Sequence, residues 1–265
     1  MPVRTEVAMG TLVTIHIVPA GAEPALDAAF AWFHSIEAIC SRFNEQSELR
    51  LLQAQVGIPV PVSPTLFEAI RFAVLVAAET GGAFDPVIPG QGVSYRDLEL
   101  DPATQSITVH RPLQLDLGAV AKGLAVDTAA HELAACRDFA IDAGGDLYMG
   151  GQNPEGQPWE VGIRHPRAED GLLATRRLSN HAICTSGDYE RGRHILDPRT
   201  GLAAEGVASS TVIAPSAMLS DALATAAFVL GSRDGIQLLE RLGVAGLIVT
   251  PALEQFQSPG WALHE

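Results

Sequence analysis

The chain has 265 residues, 47% of them hydrophobic and 18% charged, a balance that supports a substantial folded core and excludes a disordered chain. With 17 basic and 31 acidic residues the formal net charge is -14, which excludes general nucleic-acid binding and obliges any phosphate ligand to meet a local countercharge. Cys40, Cys136 and Cys184 are odd in number and widely spaced, so neither a disulfide framework nor a zinc site is expected.

The N-terminal residues alternate as two strands, Arg4 to Met9 and Leu12 to Val18, around a turn at Gly10. They lack the basic and apolar regions of a leader and a lipid-attachment cysteine, and no apolar run is long enough to span a membrane. A cytoplasmic protein is the expectation. An Ala-rich helix follows from Pro24 to Arg42, another begins near Ser47, and Ser63-Pro64 opens a third that ends at Gly81. "GGAFDPVIPGQGVS" is too rich in Gly and Pro for regular structure and reads as a loop. Short strands are expected at Leu98 to Leu100, Ser106 to Val109 and Leu113 to Asp116, then a helix from Ala119 to Ala135. Phe139 to Ile213 is mostly strand, with turns at Gly144-Gly145, Gly150-Gly151 and Gly192. Helices at Ala217 to Leu230 and Arg233 to Leu242 precede a final pair of strands, Leu247 to Thr250 and Gln255 to Gln257. Strands and helices segregate along the chain, the pattern of an α+β fold rather than of repeated βαβ units.

Five stretches exceed what a core requires. In "LDLGAVAKGLAVD", Asp116, Lys122 and Asp127 flank small residues at a loop-to-helix transition, where backbone N–H groups favour an anion and Lys122 supplies a positive charge. The alternative is a capping Asp and a solvated Lys. In "MLSDALATAAF", Asp221 and Thr225 stand four apart, so both oxygens share one helical face and suit a hard cation such as Mg²⁺. Here the competing reading is that Ser220 or Asp221 caps the helix and Thr225 bonds back to its own turn. "TSGDYERGRHILDPRTG" delivers His194 ahead of a turn, together with Ser186, Asp188, Arg191 and Asp197, and a neutral His is suited to accept a proton near pH 7. "GGAFDP" offers Phe84 and Asp85 to a ring system, unless Phe84 merely anchors the loop. "IDAGGDLYMGG" is either a ligand approach or a plain hairpin. Dinucleotide and P-loop fingerprints, a Ser-centred elbow and a zinc-protease helix are absent. Spacing alone therefore points to Mg²⁺-assisted phosphate chemistry.

In their order, "MGTLVTI" (9 to 15), "SRFNEQSEL" (41 to 49), "GGAFDP" (81 to 86), "LDLGAVAKGLAVD" (115 to 127), "SGDYER" with "HILDPRTG" (186 to 201) and "SDALATAAFVLG" (220 to 231) resemble the ApbE-like family of FAD:protein FMN transferases. The resemblance implies one T-fold-like α+β domain over residues 1 to 265 that binds FAD and Mg²⁺. It further implies transfer of FMN to a Thr or Ser hydroxyl of an acceptor flavoprotein, with release of AMP. It would make Asp221, Thr225 and the carbonyl of Ala119 the metal ligands. Met9, Phe43, Ala83, Phe84, Asp85, Asp116, Lys122 and His194 would surround FAD, with His194 and Asp221 catalytic. The segment after "FDP" is shorter than the family's, Phe43 stands where Tyr is common, and Asp142 stands where Asn is frequent. The short segment motivates a second reading, an FAD diphosphatase giving FMN and AMP. A non-catalytic flavin-binding protein is the third.

Overall fold

The computed structural model describes residues 2–18, 23–90, 92–168, 170–189 and 195–264. An eight-stranded antiparallel sheet forms its centre, built from β1 (Val3–Ala8), β2 (Thr11–Ile17), β6 (Phe139–Ala143), β7 (Asp146–Gly150), β10 (His181–Gly187), β11 (Ser209–Ala214), β12 (Ala245–Val249) and β13 (Gln255–Gln257), adjacent in that order. A three-stranded sheet of β3 (Val60–Pro61), β5 (Ser106–Val109) and β4 (Leu98–Asp101) stands beside it, and β8 (Trp159–Arg164) pairs with β9 (Leu172–Leu178). The helices are α1 (Glu23–Cys40), α2 (Glu48–Gln53), α3 (Pro64–Glu79), α4 (Gly118–Glu132) and α5 (Ala217–Leu242).

Two-residue hairpins fix the register near one end of the large sheet. Met9 and Gly10 join β1 to β2 with φ of 53° and 72°, and Gly144 and Gly145 join β6 to β7 with φ of 64° and 96°, the positive-φ pairing that matches strand twist. A side chain at Gly144 would collide with Thr11, so the two turns nest against each other.

Because side chains alternate across a strand, the sheet has two differently covered faces. Ile141, Ala143, Ala182, Cys184, Val212 and Ala214 face the helices and the main core. Ala140, Met149, Ile183, Ile213 and Leu247 face the β8–β9 hairpin and Trp261. On the helical side α4 packs against both α1 and α5.

Among the described residues the expected elements are present with two changes, and the turn expected at Gly192 lies outside them. Leu113 to Asp116 forms only an isolated bridge, Val87 to Leu115, because a neighbouring Gly- and Pro-rich loop cannot sustain a ladder. The two expected C-terminal helices run on as α5, interrupted at Gly231 by φ 86° and ψ 175°, a conformation open to Gly. Among the described residues no helix is long and apolar enough to cross a membrane.

Candidate active site

The site begins where α4 meets α5. A Cβ at Gly123 would lie 2.5 Å from the Met218 Cα and 2.6 Å from its N, so only Gly permits this approach. Asp127, one turn further along α4, accepts hydrogen bonds from the N–H groups of Ala217 (2.6 Å) and Met218 (3.0 Å). The hydroxyl of Ser216 accepts from the Leu219 N–H. The start of α5 is therefore capped by Ser216 and Asp127, which leaves Ser220 and Asp221 out of the capping role. Burial pushes Asp127 up to about 6 despite the backbone donors.

From this junction Asp221 and Thr225 project toward the sheet. The Thr225 and Ser186 hydroxyls lie 3.1 Å apart. Lys122 of α4 contacts the Asp146 carboxylate directly, and its Nζ stands 3.6 Å from Asp221 Oδ2. Asp146 is opposite Ala143 in the β6–β7 ladder, on the helical face, and is 3% exposed; Asp221 is 8% exposed. Asp221 Oδ2 is buried without a hydrogen-bond partner. Desolvation pushes the Asp221 carboxyl up, opposed by Lys122.

A second group of residues approaches from the loops. The Asp116 N–H donates to the Pro86 carbonyl (2.8 Å), which ties the 81-to-86 loop to the start of α4. Asp116 Oδ1 accepts from the Gly118 N–H (2.9 Å), and Arg42 Nε stands 3.2 Å from its Oδ2. The Arg42 guanidinium covers the exposed ring of Phe43 at 4.4 Å. Asp85 accepts from the N–H groups of Val87 and Tyr95, so it shapes its own loop, and burial raises its carboxyl. A cavity of about 490 Å³ opens between this loop and the 198-to-201 turn, lined by Gly81, Gly82, Asp85, Arg96 and Arg199 among others. A smaller one of about 240 Å³ is lined by Asp188, Ile195, Val207 and Phe228 among others.

The sequence model of the ApbE family matches residues 9–91 and 90–248. The chain belongs to the ApbE family. It is 30% identical to an FAD:protein FMN transferase of Treponema pallidum (strain Nichols), over 94% of this chain and 84% of that one. It is 27% identical to an FAD:protein FMN transferase of Haemophilus influenzae, over 88% and 80%. The ApbE protein from Thermotoga maritima superposes with a TM-score of 0.90 at 28% identity, over 100% of this chain and 99% of the other. The fold is shared, at 22% identity and a TM-score of 0.90, with the flavin transferase ApbE from Vibrio cholerae, again over 100% and 99%.

In this ApbE-family chain, Lys122 and Asp221 come together at the α4–α5 junction with Thr225 on the same helical face, while Asp116 and Phe43 meet at Arg42 and Asp85 lines the larger cavity. Met9 sits in the nested turn, packed on the main core. Ala83 (0% exposed) and Phe84 (4%) are in the core, so Phe84 anchors its loop and this segment offers a ligand mainly backbone. His194 and Arg191 lie outside the described residues. Asp188 pairs with Arg167, and Asp197, held below its usual value by Arg199, orders the turn beside the cavity. Asp142 is exposed and accepts from the Gly145 N–H, so its charge is solvated.

Sequence reasoning missed Asp146 as a site residue. Its signal was the Asp directly after a Gly-Gly turn, whose place opposite Ala143 puts it on the buried face. A hard cation fits the site. Two buried carboxylates against one ammonium leave an uncompensated negative charge, and Asp221 Oδ2 is an orphaned acceptor. Asp221 and Thr225 could hold such an ion, with water and ligand oxygens completing its shell. Among the described residues no cluster of three His, Cys, Asp or Glu suits a metal.

Proposed function

We propose that this chain is an FAD:protein FMN transferase that uses Mg²⁺ and FAD, places FMN on a Thr or Ser hydroxyl of an acceptor flavoprotein and releases AMP. The observation that carries this reading is the buried negative excess at the α4–α5 junction of an ApbE-family chain, since an acidic protein that handles a diphosphate needs a cation there. Asp221 and Thr225, with the carbonyl of Ala119, would hold Mg²⁺, which when bound offsets the charge of the FAD diphosphate and of the departing AMP.

The chain's own residues supply position and a proton acceptor. Lys122 adds a positive charge, whereas the Gly118 N–H at the start of α4 is taken by Asp116. The cavity beside Asp85, about 490 Å³, is of a size to take part of a dinucleotide. His194 takes the proton of the acceptor hydroxyl as its oxygen attacks the FMN phosphorus. The bond from that phosphorus to the bridging oxygen breaks, and AMP leaves with that oxygen. Little covalent chemistry falls to the side chains, so alignment dominates the rate.

Incubating the chain with FAD, Mg²⁺ and a candidate acceptor tests the proposal. Flavin fluorescence that stays with the acceptor after denaturation, with one AMP per label, is expected. AMP without labelling identifies an FAD diphosphatase, and intact FAD identifies a binding protein only.

A further inference from the structure

Lys122 has two carboxylates within reach and contacts one of them. Its ammonium meets Asp146 directly and stands 3.6 Å from Asp221 Oδ2, close enough to interact with both while lying nearer Asp146. A flexible Lys could centre on either carboxylate, so its closer approach to Asp146 reflects how the two are mounted. Asp146 is fixed by its position beside the Gly144-Gly145 turn, and Lys122 by α4, itself locked to α5 at Gly123. Two rigid mounts thus hold the ammonium on the sheet side.

We propose that Asp146 is a positioning residue of the cation site: by retaining the Lys122 ammonium, it keeps Asp221 Oδ2 open to a divalent ion. The inference rests on the cation-dependent reading above and adds a residue to it. Without the Asp146 charge, Lys122 closes onto Asp221 and competes with the ion for the same oxygen. Asp146 acts through Lys122 and touches neither ion nor substrate.

The test is Mn²⁺ binding, followed by loss of the free-ion electron paramagnetic resonance signal, with and without FAD. Asp146→Asn should weaken Mn²⁺ binding by about 10-fold, within the range for groups that orient metal ligands. Adding Lys122→Met to Asp146→Asn should restore most of that loss, because the competitor is gone. Without FAD, Lys122→Met alone should bind Mn²⁺ at least as tightly as the natural chain, which keeps the proposal testable even if Asp146→Asn fails to fold. Unchanged affinity in Asp146→Asn, a double variant as weak as the single one, or weaker FAD-free binding in Lys122→Met overturns the role of Asp146. No Mn²⁺ binding to the natural chain in either condition removes the cation reading itself.

Discussion

The two faces of the eight-stranded sheet each bury charge, in opposite ways. On the hairpin face Arg176 is 7% exposed, donates to the Thr175 carbonyl and lies 4.4 Å above the ring of the fully buried Trp261. On the helical face one ammonium, that of Lys122, lies between the two buried carboxylates of Asp146 and Asp221. An aromatic face offsets part of the cost of a buried cation, although among the described residues Arg176 Nε and Trp261 Nε1 keep no hydrogen-bond partner. Elsewhere on the helical side Asp127 is met by backbone N–H groups. One face thus carries a lone cation over a ring, and the other two carboxylates around one ammonium.

The largest effect should separate these faces most sharply. Asp221→Ala is expected to lower Mg²⁺-dependent AMP release by about 100-fold or more, since a bound metal supplies several kcal/mol of charge stabilisation. The metal-free melting temperature should not fall, because the substitution removes a buried carboxylate while Lys122 keeps Asp146. Retained turnover would break the assignment.

Gly123→Ala attacks the geometry instead of the charge. Its Cβ would fall within 2.6 Å of Met218 backbone atoms, and overpacking of this kind costs about 1–3 kcal/mol. Denaturant melts should report that loss, and turnover should drop in the surviving folded protein as α5 shifts away from Lys122.

Asp127 gives a comparable change that depends on pH. Burial raises its carboxyl from 3.8 to about 6, so the folded chain holds a proton that the unfolded chain releases. The stability it contributes is full below about pH 4 and is lost as pH rises through about 6, a loss of roughly 3 kcal/mol. Stability measured from pH 4 to 7 should therefore decline more in the natural chain than in Asp127→Asn. Parallel curves would show that the carboxyl does not titrate there.

The smallest effect belongs to the hairpin face. Arg176→Met should cost about 1–2 kcal/mol through the lost stacking on Trp261, while AMP release by the folded enzyme stays unchanged. A loss of turnover would mean that the two faces are not independent.

Sequence reasoning recovered what local physics determines. Alternation around Gly10 located the first hairpin, Ser63-Pro64 set the start of α3, and the i, i+4 spacing of Asp221 and Thr225 put two oxygens on one helical face. The rest depended on contacts distant in sequence. Nothing local in Leu113 to Asp116 says that its pairing stops at one bridge. The β8–β9 hairpin read only as further strand, because periodicity does not reveal which face of another sheet it covers. Asp85 reads as a ligand group in the sequence, but its contacts with the N–H groups of Val87 and Tyr95 depend on a loop fold that spacing does not reveal. Asp146 became visible only through its register with Ala143 and its contact with Lys122 from α4.

The central claim is that the buried Asp221 carboxylate at the α4–α5 junction is a cation site used in flavin transfer. Crystals of the chain grown with Mn²⁺ and AMP test it most directly through anomalous scattering. The account predicts a peak at ligand distance, within about 2.0–2.6 Å as for hard divalent ions, from an Asp221 oxygen and the Thr225 hydroxyl. Mn²⁺ that supports flavin transfer while giving no peak at Asp221 would contradict it.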